Sequence, residues 1–266
     1  MAYVFTILGC GSSGGVPRVG QGWGACDPSE PKNRRRRCSL LIERFADGIA
    51  APTRVLIDTS PDLRDQLLDA GVDRLDAVLF THEHADHTHG IDDLRPLTIH
   101  HRRRIDVYLD AATSDVLHQR FGYCFRTPPG SEYPPILTEH RFEAGQAISV
   151  VGPGGTIEAL PFRQYHGSIF SYGFRIAGLA YSSDLHDVPA ESLPALNGLD
   201  VWIVDALRHT PHPTHFSLSD ALQWIDRMKP RRAVLTNMHN DLDYAELTAS
   251  LPEGTAAAYD GMKIEL

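Results

Sequence analysis

The sequence predicts an α+β fold of two strand-rich halves with helices on the outside, and three observations predict it. Apolar runs of strand length recur in both halves of the chain. Between them lie segments with apolar residues at helical spacing and a capping residue or proline at the start. One apolar run, Leu75–Phe80, passes directly into Thr81-His82-Glu83-His84-Ala85-Asp86-His87, which puts three imidazoles and two carboxylates into seven residues. The 266 residues could form one large domain or two small ones. No composition break, repeat or low-complexity stretch divides them, so a single domain over residues 1–266 is expected.

Tyr3–Leu8 reads as the first strand and runs into the glycine-rich turn Gly9–Gly15. Such a turn could cradle a phosphate, but the G-K-[ST] of a P-loop is missing, and a tight turn beneath a site is the preferred reading. Residues 17–37 are a polar loop, and Ser39–Arg44 and Arg54–Asp58 are the next strands. Thr59–Ala70, with Pro61 near its start, is predicted helical with Leu63, Leu67 and Leu68 turned inward. After the histidine cluster, Gly90–Ile99 is a predicted helix with Leu94 and Leu97 on the core. Ile105–Leu109 follows as a strand and Ser114–Phe121 as a helix. Phe125–Pro135 holds four prolines and reads as a loop. Strands are expected near 146–151, 155–164, 171–176 and 179–182, then a helix over Pro189–Leu196 and a buried strand at Asp200–Val204. Ser217 caps a helix over Leu218–Met228 with Asp220 in its first turn. Arg231–Thr236 is a strand, Tyr244–Leu251 a helix, and Ala256–Tyr259 and Met262–Glu265 are the closing strands.

An apolar content of 42% with 22% charged residues is ordinary for a soluble globular protein, and no apolar run has the length of a membrane span. The net charge of −9 argues against a general nucleic-acid surface. It leaves a small anionic substrate open, because bound cations dominate the field inside a site. The run Arg34–Arg37 is the local exception, read as a solvated loop in preference to a phosphate clamp. The four cysteines, Cys10, Cys26, Cys38 and Cys124, have no paired spacing, and the first strand begins without a signal-peptide pattern. A cytoplasmic location is expected.

His82 and His84 are two residues apart, so in extended backbone their rings share a face, while Asp86 and His87 follow a bend and approach from another side. Imidazole with carboxylate suits zinc, manganese or iron better than calcium or magnesium. This H-x-H-x-D-H pattern resembles the metallo-β-lactamase superfamily of binuclear metallohydrolases. The resemblance implies an αββα sandwich with two divalent metal ions, manganese or zinc, at one edge between the sheets. It also implies the ligand set. His82, His84 and His166 match one metal position; Asp86, His87 and His239 match the other; Asp184 matches the bridging carboxylate. Such a pair of ions, about 3.5–4 Å apart, lowers the pKa of a shared water toward neutrality. His239 departs from the pattern, since relatives carry the last histidine directly after the threonine and here Asn237 follows Thr236. Glu83, between ligands, is read as facing solvent or supporting them.

Within the superfamily, Ser12–Pro17, Arg36–Ser39, Thr214–Leu218 and Tyr259–Met262 resemble the PhnP-like phosphodiesterases. That implies hydrolysis of a small cyclic or nucleotide-like phosphodiester, a ribose cyclic phosphate in that branch, with His215 as general acid beside the metal-bound Asp86. An alkoxide is a poor leaving group unless it is protonated, so the chemistry needs such a donor. The branch also carries a structural zinc on a cysteine cluster and a late histidine. Here only Cys26 remains and Asn240 stands at the late position, so no such zinc is expected. The other readings are a lactonase, thioesterase or tRNA 3′-processing nuclease on the same site, and a non-catalytic metal-binding interaction protein. The expected partner is a small phosphodiester, with neither membrane nor nucleic acid, and a homodimer is among the open states of assembly.

Overall fold

The computed structural model describes residues 2–266, and two seven-stranded mixed sheets dominate it. The first sheet is built from β1 (Ala2–Gly9), β2 (Ser39–Phe45), β3 (Thr53–Ile57), β4 (Ala77–Leu79), β5 (Ile105–Leu109) and β6 (Leu137–Arg141), with β14 (Lys263–Glu265) paired outside β1. The second takes β7 (Ile148–Val150), β8 (Ile157–His166), β9 (Ile169–Ile176), β10 (Leu179–Ser182), β11 (Val201–Asp205), β12 (Arg232–Thr236) and β13 (Thr255–Ala257) in order from one edge to the other.

Residue alternation dictates the layers. Leu40, Ile42, Val55, Ile57, Ala77 and Leu79 enter the core shared with the second sheet. Their neighbours Leu41, Leu56 and Val78 point the other way, into a separate cluster with Leu63 and Leu67 of α1 (Leu63–Asp69) and Leu117 of α4 (Ala111–Phe125). Ala221 of α6 (Leu218–Met228) and Leu247 of α7 (Tyr244–Ser250) join the core on the second sheet's side. The order is helix, sheet, sheet, helix, as expected for an αββα sandwich. Among the described residues no helix is long and apolar enough to cross a membrane.

β3, β4 and β5 are parallel, as are β10, β11 and β12. The carboxyl ends of parallel neighbours lie at one edge of their sheet, and in open sheets that edge is where ligands bind. Asp58, Thr81, Asp184, Asp205 and Asn237 all stand at or just past such ends.

Several local expectations need correction. Leu68 is 63% exposed, because it lies one residue off the Leu63–Leu67 stripe and is rotated away from it. The helix expected over Gly90–Ile99 is a 3₁₀ turn, Ile91–Leu94, followed by α3, Arg95–His101. Pro96 supplies no N–H to continue the earlier turn. α4 starts earlier than expected because the Asp110 carboxylate accepts from Ala112 N and Thr113 N. β6 went unpredicted, since its polar Thr138, Glu139, His140 and Arg141 hide the strand.

The arginine run is not the solvated loop expected. Arg36 pairs with Asp69 and Asp260, and Arg37 pairs with Asp62. Arg35 is buried and donates to His239 O at 3.2 Å and Leu242 O at 2.7 Å, with Cys26 Sγ 3.9 Å from the same guanidinium. Cys26 Sγ itself donates to Leu242 O. A buried guanidinium thus ties the loop before β2 to the segment that follows β12. Only Arg34, packed over the Trp23 ring, is exposed.

Candidate active site

The cluster after β4 is held by a carboxylate from the neighbouring strand. Asp58, fully buried at the end of β3, accepts from Thr81 N and Thr81 Oγ1, each at 2.8 Å, and stands 2.7 Å from His87 Nδ1. The other ring nitrogens are fixed in the same way. His82 Nδ1 is 2.9 Å from Thr81 Oγ1, and His166 Nδ1 donates to Thr214 O at 2.7 Å. With these Nδ1 atoms engaged, the Nε2 atoms of His82, His87 and His166 face the centre, where His166 Nε2 lies 3.2 Å from His84 Nδ1.

Three groups converge. His82, His84 and His166 bring one ring nitrogen each to a common point, His82 and His87 do so with a carboxylate oxygen of Asp184, and His166 and His215 also meet Asp184. The Asp184 carboxylate is shared: Oδ1 is 3.1 Å from His87 Nε2, and Oδ2 is 3.8 Å from His166 Nε2. Asp86 Oδ2 is 3.3 Å from His87 Nε2. His82 Nε2, His87 Nε2 and Asp184 Oδ1 are buried yet have no hydrogen-bond partner, although the last two lie so close. Buried polar atoms are almost always satisfied, so three orphans aimed together fit divalent cations. The electrostatics agree. Burial holds the His82 and His166 imidazoles neutral, His166 at a pKa of about 4, which is the form that ligates. Burial would lower His87 as well, but Asp184, Asp86 and Asp58 outweigh it and raise its pKa in the metal-free pocket.

Like Asp86, His239 is in none of these groups. It lines the same cavity, but its backbone N–H donates to Leu207 O and its Nδ1 is 3.8 Å from Asp241 Oδ1. The turn after β12 explains this. Asn237 takes a left-handed φ of 59°, which asparagine tolerates better than most residues, and its Nδ2 lies 3.2 Å from both Asp205 Oδ1 and His215 Nδ1. Met238 is fully buried, so His239 emerges on the rim.

His215 stands beside the cluster, its Nδ1 2.8 Å from Asp205 Oδ2 and 3.8 Å from Asp184 Oδ2. Burial would lower its pKa, but Asp205 and then Asp184 raise it to about 9. Glu83 offers its carbonyl to Arg120 Nη1 and joins none of the groups. Asp58 and Asp205 were missed in the sequence. Each ends an apolar strand, as Asp184 nearly does, and that shared placement is the signal that could have found them.

The chain matches the model of the beta-lactamase superfamily domain over residues 53–238. A crystal structure of a diphosphatase from the PhnP family superposes with a TM-score of 0.88 at 36% identity, covering 100% of this chain and 98% of that one. A Porphyromonas gingivalis octanoyltransferase is 35% identical over 261 residues, 97% of this chain and 50% of that protein. A Bradyrhizobium diazoefficiens ribonuclease Z is 34% identical over 152 residues, 55% of this chain and 46% of that protein. The chain therefore spans about half the length of the curated relatives it matches. With its paired sheets, its H-x-H-x-D-H cluster and these relatives, the chain belongs to the metallo-β-lactamase superfamily and, within it, to the PhnP family.

Proposed function

We propose that the protein hydrolyses a small phosphodiester, cyclic or nucleotide-like, with His215 as general acid. His82, His84 and His166 would hold one divalent ion, and Asp86 and His87 a second, with Asp184 shared between them; manganese and zinc both suit this donor set. When bound, such ions supply an activated water and neutralise charge on the phosphoryl oxygens. The residues of the chain do the rest. Water adds to phosphorus and releases its protons to solvent, the P–O bond to the leaving group breaks, and the leaving oxygen takes a proton from His215, which regains one from solvent, giving an alcohol and a phosphomonoester (one molecule where the substrate is cyclic). Asp205 orients the ring through Nδ1, which leaves Nε2 as the donating atom.

The observation that carries this reading is His215 itself: an imidazole 2.8 Å from the Asp205 carboxylate, which favours its protonated form, on the wall of the same cavity as the metal cluster. Ester and thioester cleavage has less need of such a donor, because the leaving group departs from a tetrahedral intermediate more easily than an alkoxide leaves phosphorus. An acyl-enzyme route has no thiol to use. All four cysteines are buried, and burial raises each thiol, Cys124 to about 12. The acidic balance of −9 weighs against an RNA substrate. The test is turnover by the manganese- or zinc-loaded protein on a panel of phosphodiesters, thioesters and lactones. Preference for a thioester or lactone would overturn the proposal.

A further inference from the structure

One run in the chain serves neither the core nor the metal cluster: His100-His101-Arg102-Arg103-Arg104, in a protein whose net charge is −9. It ends α3 and leads into β5, and all five residues are exposed. Elsewhere the arginines are matched with carboxylates, as Arg36 with Asp260, Arg37 with Asp62 and Arg54 with Glu43. Here Arg103 has Asp106 at 3.3 Å, but among the described residues Arg102 and Arg104 form no ion pair. Arg102 closes α3 with a left-handed φ of 50°, a position that glycine usually fills. Arg95, Ile99 and Arg102 are spaced i, i+4, i+7 and so share one face of α3. Ile99 on that face is 67% exposed. The face runs into a cleft of about 300 Å³ lined by Arg95, Tyr123 of α4, and Pro128, Ser131 and Tyr133 of the proline-rich loop. Tyr133 is 78% exposed, and the Arg95 guanidinium lies 5.7 Å from the centre of the Tyr123 ring. Thr98 Oγ1 donates to Ile136 O at 3.2 Å, which ties the end of that loop to the helix. Acidic groups are few here. Asp92 is taken by Arg95 at 2.6 Å, and Glu132 is the one carboxylate of the loop.

Exposed tyrosines and an exposed isoleucine beside unpaired guanidinium groups have the make-up of a protein-binding surface. Guanidinium forks fit carboxylates, and a concave cleft takes a single side chain better than it fits a flat bilayer. Range separates the remaining polyanions. Screening limits an exposed charge to about 8 Å at physiological ionic strength, so a short acidic segment meets only this patch. A nucleic acid or an anionic bilayer extends past it, over a molecule whose net charge of −9 repels it. We propose that the exposed face of α3 and the cleft beside Tyr133 dock an acidic peptide segment of a partner protein, its carboxylates on Arg102 and Arg104 and an apolar side chain in the cleft. The cleft shares no residue with the cavity of the metal cluster, so the inference stands apart from the phosphodiesterase reading.

The test is selection from a random-peptide library displayed on phage, panned on the full chain. Enriched peptides are expected to carry Asp or Glu beside an aromatic or large aliphatic residue. Made synthetically, they should bind the Arg102→Glu, Arg104→Glu variant about 10-fold or more weakly than the native chain. Both substitutions lie on exposed side chains without ion pairs, so the unfolding midpoint should not move. Tyr133→Ser, which removes one wall of the cleft, should weaken the same peptides while leaving the charges in place, and supplies the test if the double variant is unstable. No enrichment over a blank surface overturns the proposal, as do enriched peptides without acidic residues or peptides that bind the variants as tightly as the native chain. Single-stranded polyuridylate and phosphatidylserine vesicles are measured alongside. Tighter binding of either than of the peptides, lost in the double variant, would give the patch to nucleic acid or membrane and overturn the proposal as well.

Discussion

Replacing His215 by alanine separates a proton donor from a ligand, and the structure sets the size of the effect. Against the effect of burial, Asp205, 2.8 Å from Nδ1, raises the imidazole above its ordinary pKa, which favours the protonated, donating form at neutral pH. A positioned acid contributes about 10²–10⁴-fold, equivalent to about 2.7–5.4 kcal/mol of transition-state stabilisation. That stabilisation is needed only where the leaving oxygen departs as a high-energy anion. His215→Ala should therefore lose about 10²–10⁴-fold in turnover on an alkyl phosphodiester such as a ribose cyclic phosphate. On a nitrophenyl phosphodiester, whose leaving group is stable as an anion, it should keep much of its rate. Asp205 still accepts from Leu185 N and Asn237 Nδ2 in that variant, so the fold is expected to hold. Steady-state kinetics on the two substrates, with metal content measured on the same samples, decide the matter. An equal loss on both would mean that His215 binds phosphate or shapes the pocket, and the assignment would fall.

Further consequences follow from the residues around it. Asp58→Asn weakens the partner of His87 Nδ1 and should cost about 10–100-fold in metal affinity at the Asp86–His87–Asp184 position, read by chelator competition; unchanged affinity would remove Asp58 from the site. His239→Ala should keep the native metal content, since this histidine lies outside the three converging groups; loss of one ion would make it the last ligand. Arg35→Met leaves the carbonyls of His239 and Leu242 without their buried donor and should lower unfolding free energy by about 2–4 kcal/mol in denaturant titration. An unchanged midpoint and slope there would show that the guanidinium does not brace the segment after β12.

Much of the site was legible because metal chemistry constrains sequence locally. Of the residues read from the pattern, His82, His84, His87, His166 and Asp184 meet in the converging groups, and Asp86 stands 3.3 Å from His87. The seventh, His239, lines the same cavity from its rim, where a left-handed residue at Asn237 redirects the chain, and backbone conformation at a single turn is not written in ligand spacing. Asp58 and Asp205 escaped notice for a different reason. An orienting carboxylate acts through distance to a ring nitrogen across strands, and nothing local marks it except its place at a strand end. Strand positions were legible where both faces are apolar, as in β4 and β11, and illegible in β6, where half-buried polar residues erase the period. The arginine run misled in the same way, since burial of Arg35 depends on carbonyls that lie 204 and 207 residues away in the chain.

The most direct test of the central claim is hydrolysis of a phosphodiester by the metal-loaded protein in water enriched in heavy oxygen, with and without a chelator. Attack at phosphorus predicts one heavy oxygen in the phosphomonoester, none in the alcohol, and loss of turnover on chelation that returns with manganese or zinc. Label in the alcohol, or turnover that persists without metal, would contradict it.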